Sequence, residues 1–256
     1  MKLKHLYACA AAALVLAVCP LPLHADTIAW TAWSGAVVSI DGTHTPGSAT
    51  GTVLSNAFGT ITVTYSGQTS GLLTNYPSWN PVSTFTDTAS GGIVGNAPPQ
   101  ANNAVQIEGG QTYTETITFS HEIVNPIFAI WSLGSGGTPA YFNFTTSNFN
   151  VLGGGPSAEY GGQAIVKPDP SSTFINGSEG NGIVQFNGTY TSLTFTTPNY
   201  EGYYSFTIGE DYTLTEKLPP TPTGPPSAVP EPATLSLFGM GLAALPILRR
   251  KLTHRT

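Results

Sequence analysis

Glu115 is the side chain of this sequence with the most chemical promise. It lies between Tyr113 and Ile117 in an alternating run, on the face that carries the apolar residues. A carboxyl group beside an aromatic ring can hold a sugar hydroxyl, and burial would push its pKa up toward that of a general acid. Glycoside hydrolysis also needs a second carboxylate at a fixed separation, and no residue is marked as that partner. The plainer expectation is a strand edge or bulge that leaves Glu115 in solvent. His44 and His121 are too few for a histidine metal centre or a facial triad, and His121 beside Glu122 is expected to be an exposed strand-end residue. Serines are plentiful, but neither a Gly-x-Ser-x-Gly elbow nor a phosphate-binding Gly-x-x-x-x-Gly-Lys loop occurs.

Two further groups suit binding better than catalysis. Asn176-Gly-Ser-Glu179-Gly-Asn181-Gly and Gly209-Glu210-Asp211 offer oxygen ligands in turns. Neither matches an EF-hand loop, so plain turns are expected; calcium is the one cofactor this chemistry admits, and no other is expected. Tyr76 and Trp79, in the proline-flanked Asn75-Tyr-Pro-Ser-Trp-Asn-Pro81, stand outside any alternating strand, where a sugar ring could stack on them. Tyr200, Tyr203 and Tyr204 form a second aromatic group. Packing of these loops onto the fold is the competing role for both.

The elements that would position these groups are strands. Thr27 to Trp33 alternates, and Gly59 to Tyr65 sets Ile61, Val63 and Tyr65 on one face with threonines on the other. Thr112 to Phe119 does the same with Tyr113, Ile117 and Phe119. Ile127-Phe-Ala-Ile-Trp131 is apolar on both faces and should be a central, fully covered strand. Tyr141 to Phe149 reads as one strand with Phe142 and Phe144 on one face. Ile183 to Phe195 reads as a hairpin about Asn187-Gly188, a type I′ turn that would place Val184, Phe186, Thr191, Leu193 and Phe195 on one side. Tyr203 to Ile208 supplies the last strand. No stretch from Asp26 to Lys217 has a helical apolar period, so the expected fold is all-β: an antiparallel β-sandwich, with a jelly-roll order preferred and an immunoglobulin-like one as the alternative.

Composition agrees. The chain is 40% hydrophobic and only 9% charged, which is unlike disorder, and about 190 residues suffice for one core. Of its eight Lys and Arg only Lys167 and Lys217 fall between Asp26 and Lys217, while all of its fourteen Asp and Glu except Glu231 do. Such a surface repels phosphate, and no nucleic-acid partner is expected.

The two ends are of another kind. Residues 1–25 carry Lys2 and Lys4, an apolar run from Leu6 to Val18 and a small residue before Asp26: a signal peptide cut between Ala25 and Asp26. Both cysteines, Cys9 and Cys19, leave with it, so domain 26–217 must hold together without a disulfide. Residues 218–228 hold Pro219, Pro220, Pro222, Pro225 and Pro226, a stiff linker that could span up to roughly 35 Å. The tail 229–256 has three parts. Val229-Pro230-Glu231-Pro232 displays a glutamate on an extended segment. The uncharged run 233–248 would span roughly 24 Å as a transmembrane helix, a little under the hydrocarbon thickness. Arg249, Arg250 and Lys251 would anchor it on the cytoplasmic side as a membrane stop.

This order of residues resembles the PEP-CTERM sorting signal of exported bacterial proteins. The resemblance implies recognition of Pro230, Glu231 and Pro232 by an exosortase, a polytopic membrane enzyme of Gram-negative bacteria that make extracellular polysaccharide. It implies a cell-surface or matrix destination and transient anchoring in the inner membrane. Asn125 to Gly134, Gly180 to Gly188 and Ser205 to Gly209 also resemble a β-sandwich that recurs in such proteins, which adds no site. The expected role is structural or adhesive in the polysaccharide or biofilm matrix, without catalysis, with a carbohydrate-binding module as the alternative and a glycoside hydrolase behind it.

Overall fold

Alternating residues do become strands, and they stack as two sheets. The computed structural model describes residues 27–40, 44–74, 79–87, 92–100, 104–110 and 113–212. The cleavage position Ala25 and Asp26, Tyr76, the linker, the sorting residues Pro230, Glu231 and Pro232, the apolar run and the stop Arg249, Arg250 and Lys251 lie outside the described residues.

The strands in chain order are β1 Ile28–Trp30, β2 Ala32–Val37, β3 Gly47–Ser55, β4 Gly59–Gly67, β5 Gly71–Leu73, β6 Ala104–Ile107, β7 Glu115–Val124 and β8 Ile127–Leu133. They continue with β9 Ala140–Phe144, β10 Phe149–Gly154, β11 Gln163–Ala164, β12 Phe174–Gly177, β13 Gly180–Phe186, β14 Thr189–Thr196 and β15 Tyr204–Asp211. One sheet runs β10-β13-β8-β15-β6-β5, with β1 beside β15 and the short parallel β11 beside β13. The other runs β12-β9-β14-β7-β4-β3-β2. All described pairings except β11 with β13 are antiparallel, so the all-β sandwich expectation holds. From β6 onward the chain changes sheet at nearly every connection, the winding of a jelly roll.

The inter-sheet core gathers Ile61, Val63, Tyr65, Ile117, Phe128, Phe142, Phe186, Phe195 and Phe206 with their neighbours. A second cluster lies on the other face of the β8 sheet. There Trp30, Ile127, Ala129, Trp131 and Ile183 are covered by Trp79, Phe85 and Val94 from the long β5–β6 connection. That cover explains why β8 is buried along its whole length, as its two-sided apolarity requires. Both clusters close within residues 28–208, and Met1 to Lys217 forms one compact unit, so the sandwich can fold without its tail.

Three strand expectations need correction. Thr27 to Trp33 is not one strand: the chain steps between sheets at buried Thr31, whose N donates to the Ile208 O at 2.9 Å. Trp30 then packs outside and Trp33 inside. Tyr141 to Phe149 likewise divides into β9 and β10, which lie in different sheets.

The Asn187-Gly188 hairpin does not exist. β13 pairs with β8 and β10, and β14 pairs with β7 and β9, so Asn187-Gly188 is a corner between sheets. It nests on the second corner, Asn125-Pro126: Gly188 N donates to Asn125 Oδ1, and Asn125 N to the Gly188 O, both at 2.7 Å. Val184 and Phe186 therefore meet Leu193 and Phe195 across the core from opposite sheets. Thr191 sits at a register shift and is exposed.

Candidate functional site

Glu115 is not in solvent. β7 is flanked by β4 and β14 rather than standing at an edge, and Glu115 is 1% exposed in the inter-sheet core. Gln68 N donates to its Oε2 at 2.8 Å, and Thr197 Oγ1 to its Oε1 at 3.4 Å. The Tyr65 hydroxyl touches Oε2 and also lies 2.5 Å from the Gln68 O. The single Tyr65 proton thus has two acceptors to serve, the Gln68 O and Glu115 Oε2. Burial raises the Glu115 pKa to about 7, against the lowering pull of Tyr65, Gln68 and Thr197. A substrate has no room here: a methyl on Gly67 would stand 1.7 Å from Oε2. The hydrolase role for Glu115 is thereby withdrawn, because the group that would reach a sugar is sealed in the core.

Trp79 is also unavailable for stacking. It is 2% exposed and packs edge-on against Phe85 at 5.1 Å, as part of the cover over β8. His121 is exposed, with its ring stacked on Phe58 at 4.9 Å.

The turns that offered oxygen ligands are largely strand. Glu210 and Asp211 are buried residues of β15, and Ser55 Oγ donates to Glu210 Oε1 at 3.2 Å. Burial raises Glu210 to about 7. Asn181 is spent on structure: its amide donates to the Gly155, Gly161 and Glu179 carbonyls, and its Oδ1 accepts from Ser132 N at 2.8 Å. Among the described residues no three His, Cys, Asp or Glu side chains converge on one point.

The arrangement most able to bind is built on a β-bulge. Between Gly180 and Gly182 the pairing of β13 with β8 slips by one residue, so that Trp131 and Ser132 together oppose Asn181. Ser132 takes φ 58° and Glu179 φ 55°, left-handed values that cost a non-glycine residue free energy. The two strained residues are joined, Ser132 Oγ donating to Glu179 Oε2 at 2.6 Å. The bulge also resets the alternation, returning Leu133 to the inter-sheet core while Trp131 faces out.

Glu201 completes the group. Its Oε2 accepts from Gly134 N at 3.2 Å and its Oε1 from Tyr203 N at 3.0 Å, while the Gly134 O accepts from Glu179 N at 3.1 Å. Half-buried Glu201 is raised to about 7, by burial first and by the nearby Glu179 carboxylate last. Aromatic rings border the pair: Trp131 lies 5.5 Å from Tyr160 and 5.6 Å from Tyr203, and Tyr160 is largely exposed. Glu201, with Tyr203 next to it and the largely exposed Tyr160 ring 6.2 Å beyond, can accept from hydroxyl donors while a sugar ring stacks on Tyr160. Of the second tyrosine group only Tyr203 joins this site; Tyr204 is in the core and Tyr200 is exposed. Sequence reading passed over Tyr160 and Glu201, which lie far from Glu179 and Trp131 in the chain. The closeness of Glu201 to Tyr200 and Tyr203 was the available signal.

A polar cleft of about 490 Å³ lies elsewhere, lined in part by Asn148, Lys167, Asp169 and Asn187. Lys167 is already engaged, donating to the Ser147 and Phe149 carbonyls and lying 4.0 Å over the Phe149 ring.

The signal for where the protein goes is in the tail. The PEP-CTERM protein-sorting motif model matches residues 228–251. The chain carries the PEP-CTERM sorting motif. This motif marks it as exported and processed by an exosortase, with its C-terminus anchored in the membrane. The PEP-CTERM match spans Pro230, Glu231, Pro232 and the basic cluster, the residues on which the resemblance rested. The chain matches no curated protein and no solved structure.

Proposed function

We propose that this protein, once processed by an exosortase, serves at the cell surface or in the extracellular polysaccharide matrix of a Gram-negative bacterium. Its role there is structural or adhesive, and not catalytic. The observation that carries this reading is the sorting motif at residues 228–251, which follows a proline-rich segment and a sandwich with its own closed cores. The intact mass of the protein recovered outside its native cells tests it. The expected species begins at Asp26 and ends near Pro230 to Pro232. A species that still carries Leu235 to Arg250 would refute processing and leave a membrane-tethered sandwich.

A second reading, carbohydrate binding, is supported by the bulge site. The exposed Tyr160 ring lies 6.2 Å from Tyr203, whose N bonds Glu201, and nothing in the inter-sheet core depends on that ring. Tyr160→Ala in domain 26–217 is expected to weaken glycan binding about tenfold, the worth of one lost stacking contact, with the melting temperature kept. Glycan-array binding that is absent in the parent domain, or that survives Tyr160→Ala unchanged, would sink this reading.

A further inference from the structure

The polar cleft at the Asn187 corner has walls that the fold itself holds in place. Its floor is the start of β10, where Phe149, Asn150 and Val151 pair with Phe186, Gln185 and Val184 of β13. Phe149 is fixed in the core by Phe144 at 5.2 Å and Phe186 at 5.6 Å. One wall is the corner, tied to the segment before β10: Asn187 N donates to the Asn148 O at 2.9 Å, and Asn148 Nδ2 to the Asn187 O at 2.6 Å. A second wall is Lys167-Pro168-Asp169-Pro170. Lys167 Nζ ties it down through the Ser147 and Phe149 carbonyls, its prolines fix φ, and Asp169 accepts from the Ser171 and Ser172 hydroxyls at 2.5 and 2.9 Å.

The lining keeps neutral hydrogen-bonding capacity that the fold does not use. Asn150 is exposed and Asn187 half-buried, and among the described residues neither carboxamide makes a hydrogen bond. Asn148 spends its amide nitrogen on Asn187 and leaves its Oδ1 to accept. Lys167 has committed two of its three N–H groups. The volume of about 490 Å³ falls within the usual range of small-ligand pockets, roughly 300 to 1,000 Å³.

We infer that this cleft binds a neutral sugar ring, free or as one unit of a glycan. Each sugar hydroxyl both donates and accepts, and neighbouring hydroxyls can pair with the oxygen and the nitrogen of a single carboxamide. Asn148, Asn150 and Asn187 supply that chemistry from two sides of one cleft. An anionic ligand fits poorly. Lys167 is the only Lys or Arg among the described residues, two of its protons are taken, and the Asp169 carboxylate shares the cleft. The one aromatic ring in the lining, Phe149, has Lys167 Nζ 4.0 Å over it, so hydrogen bonds rather than stacking carry the affinity. None of these residues belongs to the group of Tyr160, Tyr203 and Glu201, so the two sites stand or fall separately.

NMR titration of domain 26–217 with glucose, galactose, mannose and N-acetylglucosamine tests it. At least one of these sugars is expected to shift the side-chain amides of Asn150 and Asn187 and the backbone amides of residues 147–151, with a dissociation constant of about 1 mM. Glucuronic acid should bind more weakly than the best neutral sugar. Replacing both carboxamides, Asn150→Ala with Asn187→Ala, is expected to raise the dissociation constant at least about tenfold. The melting temperature should match the parent, because neither carboxamide is bonded within the fold. Tyr160→Ala should leave this titration unchanged. The inference is overturned if no sugar shifts these amides up to about 50 mM. It is equally overturned by shifts that centre on Tyr160, by binding that survives the double substitution, or by glucuronic acid binding most tightly.

Discussion

Raising the pH from about 5 to about 8 is expected to destabilise this domain, contrary to the usual behaviour of proteins with paired carboxylates. Glu115 has a folded-state pKa of about 7 against an ordinary value of 4.5. Between these values the folded state holds a proton that the unfolded chain has released. Stability from this proton is fully present below about pH 4.5 and is lost as pH rises through 7. Some 2.5 units at 1.36 kcal/mol each give a loss of about 3 kcal/mol from Glu115 alone. For a domain of this size that is roughly 10 °C in melting temperature. Glu201 and Glu210, also raised to about 7 by burial, act in the same direction. Asp169 is held below its ordinary value by Ser171 and Ser172, so it titrates below the window and does not offset the loss. Calorimetry across this range, with Glu115→Gln as control, measures the effect. The glutamine carries no titrating proton, so the slope should flatten by about 3 kcal/mol. A parent melting temperature that is flat or rises from pH 5 to 8 would contradict the protonated, buried state of Glu115.

Glu115 also shows what kind of information a sequence withholds. Alternation placed it on the inward face beside Tyr113 and Ile117, and that placement is correct. What alternation could not supply was the neighbour: only the β4–β7 pairing brings Tyr65 and Gln68 from fifty residues away to make a buried carboxyl tolerable. The Asn187-Gly188 corner teaches the same point. The dipeptide permits a sharp reversal, and whether the following strand returns beside β13 or crosses to the other sheet is decided by β7 and β9 waiting there. Trp79 looked like a loop aromatic because it interrupts no pattern, yet a long connection over a two-sided apolar strand must cover it, and Trp79 does so. The fully apolar Ile127 to Trp131 was legible because burial on both faces leaves a local signature. The bulge site was not, since it depends on a one-residue slip and on loops that meet only in three dimensions.

Phe128→Ala is expected to have the largest effect on stability of any single truncation in the core. β8 is the strand from which both clusters are built: Ile127, Ala129 and Trp131 face the outer one, Phe128 and Ile130 the inner. Phe128 stacks on Phe206 at 4.8 Å and meets Phe142, Phe195 and Phe144 edge-on at 5.5, 5.8 and 6.0 Å. These rings come from both sheets, so no single strand can move in to fill the space. The lost transfer energy and the cavity together should cost about 3 to 5 kcal/mol, or roughly 6 to 20 °C in melting temperature. Trp79→Ala removes as large a side chain from the cover, where the β5–β6 connection can yield without parting the sheets. Its expected signature is faster amide exchange in residues 79–100, with the inter-sheet amides still protected. Chemical denaturation and hydrogen exchange on the two variants distinguish these outcomes. Equal protection losses in both would show that the two clusters unfold as one unit, and a Phe128→Ala cost under about 1 kcal/mol would show that the aromatic core can repack around the gap.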